Sequence, residues 1–202
     1  MPPIAELEAI RKAQIMEAAL ATIASRGSAN VTMEEIAVAA GLSKGGLAHY
    51  YKSKKELFLA AFQFFFDRIF QRSKETMASF DDPIDQLMSF NWLYNLDDED
   101  LHIGYPILFD AMSMVVRDED FRRIFHDWIN NWVVLLGGAI QEGLQRGQFK
   151  EMDVKGTARA ISGIYQGLCT RWYLDPEAHS SRWAVDSYRL AIKGLIKPYL
   201  AD

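Results

Sequence analysis

The sequence predicts an all-α protein, in which an N-terminal three-helix helix-turn-helix unit is joined to a helical bundle, about nine helices in all. Three observations lead there. Apolar residues recur with the 3.6-residue helical period along most of the chain. Helix starts and stops, written as Thr/Ser-x-x-Glu boxes, glycines and Asp-Pro steps, punctuate it at short intervals. No segment alternates apolar and polar residues as a half-buried strand does.

The first helix is expected over about residues 5–26, where Ile10, Ile15, Ala18, Ala19 and Ile23 form an apolar stripe and Gly27 stops it. Thr32-Met33-Glu34-Glu35 is a capping box: the threonine hydroxyl accepts from one free N–H while the glutamate reaches back to another. Ser53-Lys54-Lys55-Glu56 repeats the pattern, so helices start near Met33 and Lys54. Between them, Gly41 falls where a tight turn needs positive φ, which a residue without Cβ adopts freely. Ser43 caps a second short helix, and Ile36, Ala37, Leu42 and Leu47 close a small core beneath it. Lys44, Gly45, Gly46, Ala48, His49 and Tyr50 are left facing outward, small or polar residues suited to a DNA groove.

A fourth helix over about residues 54–79 carries Phe58, Phe62, Phe65 and Ile69 on one side, with Phe64, Phe66 and Phe70 around it, which implies burial from two directions. Asp82-Pro83 opens a helix expected to reach residue 96. Further helices are expected over about 101–116, 119–146, 154–174 and 182–200. The Gly137-Gly138 pair lies inside the second of these, where it would mark either a kink or close helix packing.

Of 202 residues only Cys169 is a cysteine, so no internal disulfide forms. With no secretory leader pattern and no apolar run of roughly 18 residues, a cytoplasmic protein with no membrane partner is expected. The net charge of −5 conceals an asymmetry: residues 1–60 hold seven Lys/Arg against six Asp/Glu, the remainder fifteen against twenty-one. Lys44, Lys52, Lys54 and Lys55 lie in an acid-free stretch, a basic patch on an acidic body.

The string from Val31 through Ile36-Ala37, Ala40-Gly41-Leu42-Ser43-Lys44-Gly45 and His49-Tyr50-Tyr51 to Glu56-Leu57-Phe58 resembles the N-terminal signature of the TetR family of transcriptional regulators. The resemblance covers roughly residues 10–60, and divides the chain into a DNA-binding domain, 1–53, and an effector-binding and dimerisation domain, 54–202. It implies DNA contacts from Thr32, Lys44, Gly45, Tyr50 and Lys54, with Lys44 reading a base and Tyr50 and Lys54 touching phosphates; the bare backbone at Gly45 and Gly46 and the side chain of His49 are added as candidates for close approach to the groove. Where the family commonly has threonine and tyrosine, this chain has Gly46 and Ala48, so the contacts of those larger side chains are absent.

The C-terminal third is similar to the BetI-type members around Gly163-Ile164-Tyr165-Gln166-Gly167 and Arg171-Trp172-Tyr173. By that resemblance the last two helices dimerise through Gly163, Gly167, Leu190, Ala191 and Gly194, giving a homodimer that reads a pseudo-palindrome in double-stranded operator DNA. Trp92, Tyr105, Phe109, Met112, Trp128, Trp132 and Trp172 are candidates to line a pocket for a small apolar or cationic effector, since indole faces attract cations; the same spacing also serves a plain core.

The resulting expectation is a ligand-responsive repressor released from its operator by an effector. Two alternatives stand beside it. One is a DNA-binding or scaffolding dimer that takes no ligand. The other is a helical enzyme, suggested by Glu99-Asp100-Leu101-His102, whose Glu-x-x-His spacing occurs in di-iron sites; no second copy of the pair is present, so no catalytic residue, metal or cofactor is expected.

Overall fold

A computed structural model describes residues 4–201. Among them are nine α-helices: α1 (Ile4–Arg26), α2 (Met33–Ala39), α3 (Lys44–Tyr50), α4 (Lys54–Ala78), α5 (Pro83–Leu87), α6 (Glu99–Val115), α7 (Glu119–Gln145), α8 (Val154–Leu174) and α9 (Ser181–Ile196). Two compact units form. The first holds the chain up to Arg68 together with Glu99–His126; the second holds Ile69–Asp98 together with the chain from Asp127 onward.

In the first unit α1 packs against both α2 and α6. Ile15, Ala19 and Ile23 of its stripe are buried, while Ile10 stands 49% exposed on an open cleft shared with Ala39, Ala40 and Gly41. The Phe-rich side of α4 buries Phe58, Phe62, Phe65 and Phe66. Phe62 meets Phe121, and Phe66 meets Phe125, edge to face at 5.6 and 6.3 Å between ring centres. On its other flank α4 approaches α6 so closely that a Cβ built on Gly104 would lie 2.6 Å from Phe65 Cζ. Polar ties reinforce the apolar contact. Arg68 of α4 pairs with Glu17 of α1 at 2.8 Å and Asp100 of α6 at 3.2 Å. Asp110 of α6 accepts from the Ser28 N–H at 2.7 Å, and so caps the short 3-10 turn Ser28–Asn30 that follows Gly27.

In the second unit α8 packs on α9. The α7 helix runs unbroken through Gly137-Gly138, and a Cβ on Gly137 would sit 3.7 Å from Val154 and 3.9 Å from Ala158. Those are ordinary contact distances that a methyl would fill without strain, and a Cβ on Gly138 would meet nothing within 4 Å, so packing within the chain requires neither glycine. The helix expected from Pro83 to residue 96 is much shorter: α5 ends at Leu87, and a 3-10 turn Asn91–Tyr94 follows. The cause is tertiary. Tyr165 donates its hydroxyl to the Leu87 carbonyl at 2.9 Å, and Tyr188 donates to that of Met88 at 2.9 Å, so carbonyls that a longer helix would use are taken by buried tyrosines. The last helix likewise stops at Ile196 rather than continuing to residue 200. Pro198 supplies no N–H, and the chain end pairs with residues 148–150, through Lys150 N–H to Tyr199 and Ala201 N–H to Gln148.

No helix among the described residues is long and apolar enough to cross a membrane.

Two substitutions test these contacts by urea unfolding. Gly104→Ala is expected to destabilise by about 1–3 kcal/mol, because the new methyl must displace the Phe65 ring. Tyr165→Phe is expected to cost a similar ~1–3 kcal/mol by leaving the Leu87 carbonyl without its donor. Unchanged midpoints in both variants would show that neither contact bears on stability.

Candidate nucleic-acid interface

The reading head begins with backbone geometry. Gly41 has φ 66°, and Leu42 N–H donates to the Ala37 carbonyl at 2.8 Å, so the chain reverses within three residues of the end of α2. Ser43 then accepts from the Gly46 N–H at 3.0 Å and starts α3. Ile36, Ala37 and Leu47 are buried beneath the pair. The outer side of α3 is left to Lys44, Gly45, Ala48 and His49, all exposed, with Gly46 and Tyr50 half-buried.

Thr32 sits at the N-cap of α2, and both halves of the capping box form. The Thr32 N–H donates to Glu35 at 2.8 Å, and Arg26 pairs with the same carboxyl group. These donors, the Thr32 amide first, hold the Glu35 carboxyl below its usual range. Thr32 is exposed, but its hydroxyl is engaged by Glu35, accepting from the Glu35 N–H at 3.3 Å and donating to the Glu35 carboxylate at 2.9 Å. The second box differs from expectation: Ser53 accepts from the Glu56 N–H at 3.1 Å, but the Glu56 carboxylate reaches the Lys52 N–H rather than that of Ser53.

The four lysines of the basic patch have different employments. Lys44 Nζ stands 3.6 Å from the Glu34 carboxylate. Lys52 donates to the Ala48 carbonyl at 2.9 Å, closing the C-terminal end of α3. Lys54 lies 5.1 Å over the Phe58 ring. Lys55 bridges Asp118 at 2.8 Å and Asp120 at 2.7 Å, which raises its own pKa and lowers that of Asp118. Sequence reasoning gave Lys55 to the patch; in the fold it is a clamp to the turn between α6 and α7. The candidate contacts Thr32, Lys44, Gly45, Gly46, His49, Tyr50 and Lys54 all lie within the α2–α3 turn motif and the start of α4.

The two glycines of α3 are not equivalent. A Cβ on Gly45 would meet open space, whereas one on Gly46 would lie 3.3 Å from the capping Ser43 hydroxyl. An alanine at 46 would press on the capping hydroxyl by a few tenths of an ångström, whereas one at 45 would not.

The aromatic candidates fall in both units: Tyr105, Phe109 and Met112 in the first, Trp92, Trp128, Trp132 and Trp172 in the second. Tyr105 stacks with Phe109 at 6.5 Å. In the second unit Trp132 packs on Phe90 at 4.8 Å, and Trp172 on Tyr94 at 5.7 Å. Tyr165 and Tyr188, which sequence reasoning did not select, connect these groups; their position at helical spacing on the buried faces of α8 and α9 was the available signal. Trp92 carries the Arg72 guanidinium 4.1 Å over its ring, and that arginine is paired with Asp98. The indole N–H groups of Trp92 and Trp132 are buried without an acceptor among the described residues.

Of the proposed dimer residues, Gly163, Gly167, Ala191 and Gly194 are exposed, as is Leu190 at 76%. A Cβ on any of these three glycines would meet nothing within 4 Å, so no packing inside this chain explains them.

Comparison with known proteins places these features in a family setting. The model of bacterial regulatory proteins of the tetR family matches residues 15–61, and that of the BetI-type transcriptional repressor C-terminal region matches residues 97–197. The HTH-type transcriptional regulator CymR of Pseudomonas putida is 28% identical over 174 residues, covering 81% of each chain. The HTH-type transcriptional regulator BetI of Stenotrophomonas maltophilia is 38% identical over 86 residues, 40% of this chain and 42% of that one. A transcriptional regulator from Saccharomonospora viridis, solved in complex with choline, shares the fold with a TM-score of 0.78 at 21% identity, covering 95% of this chain and 98% of its own.

The helix start makes two predictions. Thr32→Ala is expected to destabilise by about 1 kcal/mol through loss of the cap. Because the folded-state pKa of Glu35 is depressed, its contribution is present above the ordinary glutamate value of 4.5 and is lost as pH falls through the lower folded value. Amide exchange at Thr32 and Glu35 followed down that range checks this; protection independent of pH there would contradict it.

Proposed function

The chain belongs to the TetR family of bacterial regulatory proteins, and on that premise we propose that it is a one-component repressor whose dimer leaves its operator when a small effector binds. It is a DNA-binding transcriptional regulator and not an enzyme. The observation that carries the reading is the α2–α3 turn motif with its positive-φ Gly41 and its outward row of Lys44, Gly45, His49 and Tyr50.

In this reading residues 1–53 form the DNA-binding domain and residues 54–202 the regulatory one. Lys44 reads a base edge from the N-terminal end of α3, Thr32, Tyr50 and Lys54 fix the register on phosphates, and the bare backbone at Gly45 lets α3 sit deep in the major groove. The dimer forms through α8 and α9; its support is the exposed stripe of Gly163, Gly167, Leu190, Ala191 and Gly194, which has no use within one chain. Two-fold symmetry then presents two copies of α3 to a pseudo-palindrome at successive major grooves, about 34 Å apart.

The effector, small and apolar or cationic, binds among the aromatic residues of the body. The buried indole N–H groups of Trp92 and Trp132 favour a ligand, since a buried donor without an acceptor is costly. It induces by binding more tightly to a conformation whose two reading heads no longer fit the DNA; equal affinity for both states would change nothing. The cytoplasm is where such a protein works.

The experiment is binding to the DNA flanking the chain's own gene across a salt series. Only Lys44 and Lys54 of the four patch lysines are free of partners that hold the fold together, so about four phosphate-equivalent charges act per dimer, and affinity is expected to fall roughly a hundredfold between 50 and 200 mM salt. A Lys44→Ala, Tyr50→Ala double variant should lose operator preference. Failure of the wild type to bind any fragment at low salt would overturn the reading. Gly45→Ala, which has room in the free protein, should stabilise the fold by about 0.5–1 kcal/mol and yet weaken operator binding; binding as tight as wild type would rule out close backbone approach.

A further inference from the structure

We propose that the crevice between α9 and the chain around α5 binds a small organic carboxylate, at a place separate from the aromatic body and with the opposite charge preference. It encloses about 260 Å³, below the usual size for a drug-like ligand and enough for a short acid. Arg189 and Lys193, one turn apart on α9, form its cationic wall, while Phe80 and Met88 supply an apolar one. Asp85 and Asn91 complete the rim. Two cations thus face one carboxylate, and the crevice lacks one negative charge.

The cations have no use inside the chain. Arg182, two turns earlier on the same flank of α9, is answered by Asp186 at 3.7 Å, whereas Arg189 and Lys193 make no ion pair among the described residues. Like charges four residues apart repel, so an uncompensated pair favours an anion between them. The facing wall is fixed before any ligand arrives: the fully buried Tyr188 donates to the Met88 carbonyl at 2.9 Å, and its hydroxyl also meets the Asn91 amide. Burial raises the pKa of that hydroxyl and the Arg189 guanidinium acts against the rise, so the guanidinium reaches toward the wall that Met88 and Asn91 form. At 3.6 residues per turn, Arg189 and Lys193 face away from Ala191 and Gly194, which puts the crevice off the proposed dimer stripe. A carboxylate there is held by the guanidinium fork and the ammonium, with its chain against Phe80 and Met88. Tyr188 stacks on Tyr94 at 5.7 Å, so the bound acid stands one side chain from the aromatic cluster of the second unit.

The test follows the melting temperature of the full-length protein in sodium pentanoate, with acetate, pentan-1-ol and phosphate in parallel and ionic strength held constant with sodium chloride. Pentanoate is expected to raise Tm saturably, by about 3–6 °C at roughly ten times its dissociation constant. Acetate lacks most of the apolar chain, pentan-1-ol the charge, and phosphate the apolar body; each is expected to bind about tenfold more weakly or worse. Arg189→Gln combined with Lys193→Gln should abolish the pentanoate shift, while Arg182→Gln on the same helix should keep it. Both cations are exposed, so the double variant is expected to fold, and its melting temperature in chloride alone checks this. No saturable shift with pentanoate, or a shift that survives the double variant, would overturn the proposal. Phosphate binding as tightly as pentanoate would reduce the crevice to a charged surface and overturn it too. A double variant that turns monomeric by light scattering would give the two cations to an acid of the partner copy, which also overturns the assignment.

Discussion

A single backbone conformation underlies the reading head. Gly41 in the left-handed region lets the Leu42 amide return to the carbonyl of Ala37, and the chain leaves α2 in a direction that carries α3 across it. Everything functional in the motif is downstream of that reversal. Leu47 turns inward to meet Ile36 and Ala37, Ser43 arrives where it can cap α3, and Lys44 is brought within reach of Glu34. An L-residue at position 41 would have to adopt a conformation that costs about 1 kcal/mol or more, with the turn still required to close.

The charge balance of the protein follows the same logic of placement rather than number. An acidic chain can bind a polyanion because only one face need be basic. In this chain even that face is economical: of four neighbouring lysines, one closes the end of α3 and another clamps the start of α4 to the turn before α7. The cations left for DNA are few. In the proposed reading, recognition then leans on the close approach that Gly45 permits and on DNA shape. The absence of tyrosine and threonine at positions 48 and 46 fits a head that reads by proximity of backbone as much as by side-chain reach.

Longer-range contacts were responsible for most of what the sequence left misread, the local exceptions being Glu56, which reaches the Lys52 N–H, and Pro198, which helps to stop the last helix. The helix begun by Asp82-Pro83 has no local stop signal before residue 96, yet it ends at Leu87 because hydroxyls of Tyr165 and Tyr188, some 78 and 100 residues away, take the carbonyls of Leu87 and Met88. Gly137 could be a kink or a close contact from local pattern alone; α7 runs unbroken through it, and Val154 and Ala158 of α8 leave ordinary room for a Cβ, so the structure shows neither. Lys55 looks like its neighbours in a lysine run, and only the arrival of Asp118 and Asp120 separates it from them. The aromatic body shows the same limit: Tyr165 and Tyr188 stand in the sequence as plainly as Trp132 and Trp172, but only packing shows that they connect the two.

The sequence by itself determined what depends on neighbours a few residues apart: helical period, the capping box at Thr32 and Glu35, the glycine at the tight turn, and the outward row on α3. Those rest on hydrogen bonds and steric limits within one or two helical turns, and are written in residue order. Tertiary structure decided the fate of each side chain that had more than one adequate partner: which lysine is bound to an acid, which carbonyl is lost to a tyrosine, and which glycine admits a neighbouring helix. The physical reason is that local bonds are nearly forced by chain connectivity, whereas long-range ones depend on a competition that only the packed chain resolves.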